Sequence, residues 1–597
     1  MSATERRQCA EIVSLSKNPQ FPCLYLEFQR VPFLLDCALE FLRPPSSVHN
    51  AHISDASVKL VVPRVSEISI EQVDFILITN SYNILALPFI TEYTAFKGRI
   101  FATEPTVEFG RLLMEEMVGN LSRDPYTGVA NYVVHFEKDV HPLYSLHDIE
   151  SCISKIERVH YSEYLDLGGD VEIVARSSGF CLGGANWMIK SPNATVTYMA
   201  ASSNSRIGHS TVIDVAPFSK TDATIVTQLG TAPTLPLGDM ITNMLNILVK
   251  TLEQGGNVLL PVNPCGTMFE LIAIISEYLR SCGLVTTPIH IVSSIAKRSL
   301  HLANIQGEWM SLEKQANLYE ARQPLIHGRL LEDKLLFHHD FSASVFQYRG
   351  PYIVFVGHPS LQAGQVRDFL KVWKNDPRNL MVVTGQAAHM SGFVTVYLQL
   401  LNASRIVERA ISQTGICRDN EDAATRTSAK KLVIPLRAGV AIPEVPPTMQ
   451  KGTLFTPLSP FQFTHISFDR DFARCRIMDQ DLKEFAPTFL EAHSEQRSVI
   501  VSGNLLHKDK LTCQIRKVMP PVEASAGRVR PTAEAIAAQC GREFGPHTIH
   551  RVPSGYVIEW DTLRLSALAD DIQIEGSDMG DMDRLRTLIL ELVKSPV

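Results

Sequence analysis

Few side chains in this 597-residue sequence stand at spacings that chemistry uses. The densest group of metal-type ligands is His338-His339-Asp340. Two adjacent imidazoles on a loop point in different directions, and no partner follows at i+4, so the group reads as a solvated loop. The eleven cysteines fall at 9, 23, 37, 152, 181, 265, 282, 417, 475, 513 and 540, never closer than fourteen residues. That spacing leaves no C-x-x-C pair and no zinc finger, and it suits reduced thiols of the cytosol or nucleus. Cys181 has no histidine or basic side chain within a few residues to lower its thiol, so it reads as structural. Gly357-His358-Pro359-Ser360 follows an apolar run, where a small-residue turn either cradles a phosphate or simply leads strand into helix. Ser177 and Ser178 fall in a similar small-residue turn. Walker, dinucleotide-binding and nucleophile-elbow motifs are absent.

The strongest pattern is not catalytic. Leu585, Leu588, Ile589, Leu592 and Val593 recur at i, i+3, i+4, i+7 and i+8, one wide apolar stripe of a helix. The final segment, 531–597, reads as helix, three strands and helix behind a small, basic linker at 524–530. So short a unit rarely builds a sufficient core alone. The stripe is therefore expected to be a partner interface, the alternative being a self-contained domain.

The elements that would position these residues are layered α/β. Hydrophobic residues make up 45% and charged residues 20%, a balance that excludes a disordered chain. Fifty-six basic against 63 acidic side chains give a net charge of −7, which argues against nucleic acid held by this chain alone. The start of the chain carries no apolar stretch of signal-peptide length, and no apolar run is long enough to span a bilayer. Strands are expected at 21–28, 33–35, 75–79, 99–102, 171–175, 187–190 and 195–199, with helices near 87–92 and 107–118. From about 220 the rhythm becomes regular. Strands at 223–227, 258–261, 289–292, 353–356 and 380–384 alternate with helices at 240–253, 268–280 and 365–373, as in a doubly wound parallel sheet. Prolines at 435, 443, 446, 447, 457 and 460 mark a boundary and edge strands.

The run 73–88, VDFILITNSYNILALP, gives the chain a family resemblance. It sits where metallo-β-lactamase-fold nucleases carry His-x-His-x-Asp-His between a buried strand and a Leu-Pro helix start. Leu34-Leu35-Asp36-Cys37 precedes it, and Ala102-Thr103-Glu104-Pro105-Thr106, Ser178-Gly179-Phe180-Cys181-Leu182-Gly183-Gly184 and Gly255-Gly256-Asn257-Val258-Leu259-Leu260-Pro261 follow in order. Over roughly 20–435 the chain resembles the β-CASP branch, RNA-processing nucleases with an α/β domain inserted into the lactamase fold.

The resemblance implies an αββα metallo-β-lactamase sandwich at 1–220, an inserted β-CASP domain at 221–385 and a return to the sandwich at 386–435. A β-rich region at 436–523, the linker and a small α+β dimerisation domain at 531–597 complete the layout. It also says which ligands are missing. Two-metal hydrolysis needs cations about 3.5–4 Å apart, held by imidazoles and carboxylates. Asn80 and Tyr82 stand at the first two histidine positions, and Asn83-Ile84-Leu85-Ala86 replaces the Asp-His that should follow. Phe180 replaces a later histidine, Ala201 the bridging aspartate and Thr227 the acid of the inserted domain. The family histidines due near 413–417 and 434–435 are not evident. Only Asp36 persists, a position that supports the metal ligands in active relatives. The site is expected to be dead, with no zinc.

The function so implied is that of a nuclear pseudo-nuclease that scaffolds a related catalytic endonuclease and contacts a separate scaffold subunit. Its setting would be small nuclear RNA 3′-end processing and attenuation of nascent transcripts. Three alternatives stay open: the large inactive subunit of cleavage and polyadenylation specificity factor, an active zinc-dependent RNA endonuclease, and a stand-alone RNA-binding protein, which the acidic balance opposes.

Overall fold

The computed structural model describes residues 9–42, 58–121, 132–136, 139–384 with short gaps, 406–411, 431–435 and 454–468, and eight strands between 488 and 576. The chain divides into two units, Met1–Arg470 and Asp471–Val597.

Two seven-stranded sheets dominate the first unit. One runs, edge to edge, Ile156–Val159, Arg99–Thr103, Phe75–Leu77, Val31–Leu35, Leu24–Phe28, Cys9–Ser14, Thr464–Ser467. Its first four strands are parallel and the rest antiparallel. The other runs Tyr164–Asp166, Glu172–Ser177, Ala185–Lys190, Thr195–Met199, Ala223–Val226, Lys431–Pro435, Leu454–Leu458. Strands such as Phe33-Leu34-Leu35 are apolar throughout because alternate side chains serve two cores. Phe28, Phe33, Leu35 and Phe101 face the second sheet, which meets them with Trp187 and Tyr198. Leu34 faces the opposite side, against the helices Leu87–Tyr93, Glu104–Leu121 and Leu146–Ser154. Trp187 is fully buried, and its indole N–H donates to the Ile78 carbonyl of the facing sheet at 3.0 Å. Among the described residues the outer face of the second sheet is covered by Ile213 and Phe218.

The sequence reading places no helix at 146–154, although its signal was present. Ser145 and Asp148 form a capping box, each side chain bonding the other's backbone N–H.

A six-stranded, all-parallel sheet forms the inserted domain, in the order Leu335–His338, Ile289–Val292, Ile353–Val356, Val258–Pro261, Leu380–Thr384, Ile406–Ile411. Leu237–Glu253 and Thr267–Ser281 cover one face, in a core continuous with that of the lactamase helices. Val366–Trp373 covers the other. The doubly wound expectation holds, but three boundaries move. Ala223–Val226 pairs with Thr195–Met199 and Lys431–Pro435, so it belongs to the sandwich and not to the insert expected from 221. Ile406–Ile411 pairs with Leu380–Thr384, so the inserted sheet extends past 385. Leu454–Leu458 and Thr464–Ser467 close the edges of the two large sheets and do not belong to a separate region beginning at 436. A short apolar strand has the same pattern in any parallel sheet it joins, which is why its partner stayed hidden.

The second unit contains two short antiparallel pairs, Thr488–Phe489 with Val499–Ile500 and Asn504–Asp509 with Thr512–Arg516. It also contains a four-stranded antiparallel meander, His547–Val552, Gly555–Trp560, Leu563–Leu568, Ile572–Gly576. The meander has one strand more than the sequence reading assigned. The linker 524–530, the expected flanking helices and the stripe Leu585, Leu588, Ile589, Leu592 and Val593 lie outside the described residues.

Candidate functional site: a degenerate metal centre

The chemistry expected at the strand ends is replaced by a closed hydrogen-bond network. Asp36 follows the strand Val31–Leu35 with φ +61, a left-handed conformation that aspartate tolerates, and it has no exposure. Its carboxylate accepts the Thr79 amide at 2.7 Å, the Thr79 hydroxyl at 2.8–2.9 Å, the Asn83 side-chain amide at 2.9 Å and the Tyr198 hydroxyl at 2.7 Å. Burial pushes this carboxyl up to about 7, while the donors pull against that shift. Only one of these donors is a backbone amide.

Asn80, buried just after the strand Phe75–Leu77, is committed to its own turn. Its carbonyl oxygen accepts the backbone N–H of Tyr82 at 3.0 Å and of Asn83 at 3.2 Å. The Tyr82 hydroxyl donates to the Cys265 carbonyl at 3.4 Å, reaching the inserted domain where the helix Thr267–Ser281 begins. Phe180 stands edge-on to the Tyr82 ring, centroids 5.9 Å apart. Ala201 offers a methyl group, and its backbone N–H donates to the Gln228 side chain at 2.8 Å. Gln228 in turn approaches the Asn83 carbonyl oxygen at 3.5 Å. Thr227 lies 3.5 Å from the Tyr198 hydroxyl.

The fold thus gathers Asp36, Asn80, Ala201 and Thr227 into one network and sets Tyr82 against Phe180 beside it. The residues present do not fit a two-zinc centre. The only carboxylate among them is saturated by donors, the Asn80 oxygen is spent on amides, and Phe180 and Ala201 have nothing to donate to a cation. Among the described residues no group of three or more His, Cys, Asp or Glu is placed to hold a metal ion.

Sequence reasoning missed Thr79, Asn83, Tyr198 and Gln228, which carry the network. It also missed His209 and Glu270. His209 is buried with neither ring nitrogen partnered, and desolvation pushes it down to about 4. Its backbone N–H donates to Glu270 at 3.3 Å, and desolvation pushes that carboxyl up to about 7.

The remaining candidates are structural. His338 does not sit on a loop. It ends the strand Leu335–His338, with Nε2 2.8 Å from Nδ1 of His290 on the neighbouring strand. His339 turns instead to Asp340, 3.1 Å away and exposed. In the 357–360 turn His358 stacks on Phe41 at 4.4 Å, and its Nδ1 accepts the Ser360 amide at 3.1 Å. Cys181 is buried, which pushes its thiol up and away from reactivity. Ser177 donates to the Thr211 carbonyl at 2.7 Å.

Family comparisons agree with this fold. Residues 25–234 match the metallo-beta-lactamase superfamily domain and 268–391 the Beta-Casp domain. The chain carries a metallo-β-lactamase-fold domain and a β-CASP domain. Similar proteins include the Integrator complex subunit 9 homolog of Nematostella vectensis, 34% identical over 61% of this chain and 63% of the relative. Integrator complex subunit 9 of Homo sapiens is 32% identical over 63% and 64%. Endoribonuclease YSH1 of Candida glabrata is 26% identical over 63% of this chain and 46% of that protein. This β-CASP chain therefore matches a little under two thirds of the length of its Integrator relatives.

Proposed function

We propose that this β-CASP protein is a catalytically inactive pseudo-nuclease subunit of the Integrator complex. In this reading it scaffolds the catalytic endonuclease, Integrator complex subunit 11, and contacts the scaffold, Integrator complex subunit 4. The complex would act in the nucleus on small nuclear RNA 3′ ends and nascent transcripts. The likeness to subunit 9 proteins supports the assignment. The observation that carries inactivity is the lost ligand set: Tyr82, Phe180 and Ala201 stand at ligand positions with no group to hold zinc, and the Asn80 oxygen is spent on the Tyr82 and Asn83 amides. Phosphodiester hydrolysis in this family needs the metal-held hydroxide, and no other residue of the network is placed to generate one.

The testing experiment measures metal content and RNA cleavage of the purified chain, alone and co-expressed with the catalytic subunit. The expected result is no stoichiometric zinc and no cleavage by the chain alone, with co-purification of the pair. Two zinc ions per chain and cleavage abolished by chelation would overturn the reading in favour of an active nuclease.

A further inference from the structure

The inserted domain bears a groove that neither the degenerate centre nor the core uses. It lies between the last turns of the helix Ala296–Ile305 and the stretch that ends and follows the helix Leu312–Tyr319, with a volume of about 670 Å³. Ala296, Ser299, Leu300 and Ala303 take that first helix's inward face. Ile305 falls outside that face and is 78% exposed, with Leu318 across from it at 41%. Leu302 completes an aliphatic floor, and Arg298, His301 and Arg322 line the rim. Among the described residues no carboxylate lines the groove. Arg298 pairs with Glu115 at 2.6 Å and Arg322 with Glu320 at 3.2 Å, but both guanidiniums are more than half exposed. The Arg322–Glu320 pair is exposed on both sides, hence weak and screened, so Arg322 can turn to another carboxylate at little cost, whereas Glu115 is only 20% exposed and holds Arg298 more firmly.

We infer that this groove docks a short amphipathic peptide segment of a protein partner, with aliphatic anchors at i and i+3 or i+4 and acidic flanks. Aliphatic anchors cover the floor, as a helix covers a hydrophobic groove, and the flanks meet the rim cations. A nucleic acid backbone would satisfy the rim and leave the floor in water. The inference is independent of the pseudo-nuclease assignment, because it uses no residue of the degenerate centre.

The test selects a phage-displayed library of helix-forming peptides on the full chain, with counter-selection on Ile305→Asp. Enriched sequences are expected to combine spaced Leu, Ile or Val with Asp or Glu. A synthetic peptide from that pool should bind at least tenfold more weakly to Ile305→Asp and severalfold more weakly to Arg322→Glu and in high salt. Unchanged thermal unfolding establishes that the variants fold; if Ile305→Asp fails this check, Ile305→Ser takes its place. Basic or neutral consensus sequences, no enrichment over the counter-selection, or affinity unchanged in both variants would overturn the inference. So would a single-stranded RNA probe whose binding is lost in Ile305→Asp, which would make the groove a nucleic-acid site. Self-association abolished by Ile305→Asp would instead assign it to a second copy of the chain.

Discussion

Asp36 buries a carboxylate among donors where a solvated one would cost nothing. Its ordinary value in the unfolded chain is about 3.9, and burial pushes it up to about 7 in the fold. The folded chain therefore holds this proton more tightly than the unfolded one. The associated stability is complete below pH ~4 and is lost as pH rises through about 7. Asp36→Asn, which cannot ionise, should remove that slope: denaturant titrations should show wild type losing ground to the variant between about pH 4 and 7. Parallel curves would mean that Asp36 keeps its charge throughout. Asp36→Ala should cost about 2–4 kcal/mol, because it leaves the Thr79, Asn83 and Tyr198 donors unpaired. Phe180 makes a second residue-scale case. Phe180→His should cost about 1–2 kcal/mol through lost contact with Tyr82 and still take up no zinc, since Asn80 and Ala201 are unchanged. Zinc bound by that single variant, read by metal analysis, would contradict it.

At the scale of elements, two loops hold the network in place. Gly179 lies between the strands Glu172–Ser177 and Ala185–Lys190 at φ +70, and a Cβ there would meet the Ser203 carbonyl oxygen at 1.9 Å. That carbonyl already accepts the Ile213 amide, so it has nowhere to move without breaking the loop. Gly179→Ala should therefore destabilise by at least about 2 kcal/mol, read as a lower urea midpoint; a neutral outcome would mean the loop is slack. Most strands and helices were legible, because apolar runs such as 258–261 and periodic runs such as 268–280 carry their own signal. The strand ends holding Asn80 and Phe180 were legible through motif order alone. The network was not. Gln228 meets Asn83 from 145 residues away, and a half-buried glutamine has no local pattern that marks it. Nor did the sequence reveal which sheet Ala223–Val226 would enter.

For the whole molecule, the division at 470/471 separates the lactamase and inserted domains from the unit that contains the meander. Each has its own strand ladders. Deletion of 531–597 should therefore leave the far-UV signal and cooperative unfolding of residues 1–470 unchanged. If the tail is the dimerisation unit, the same deletion abolishes co-purification with the catalytic subunit, and Leu588→Glu does so without truncation by placing a charge on the apolar stripe. Retention of the pair after deletion would move the interface to the lactamase or inserted surfaces.

The sandwich is stitched together across its own insertion, and this sets a clock for synthesis. Ala223–Val226 waits for Lys431–Pro435, and Cys9–Ser14 waits for Thr464–Ser467. At about 5–20 residues per second, a ribosome needs on the order of 10–40 s to supply the first of those partners. Through that interval a short strand that the finished fold buries throughout stands at an open sheet edge on the nascent chain, a template for wrong pairing. The inserted sheet closes earlier, since its strands run without interruption from Val258–Pro261 to Ile406–Ile411. Ribosome-arrested chains ending near 450 should thus protect the inserted domain from protease and leave the sandwich cleavable, with protection of both appearing only once 468 has emerged. The interrupted domain is the last to fold and the one most dependent on chaperones, although its first strand is made first.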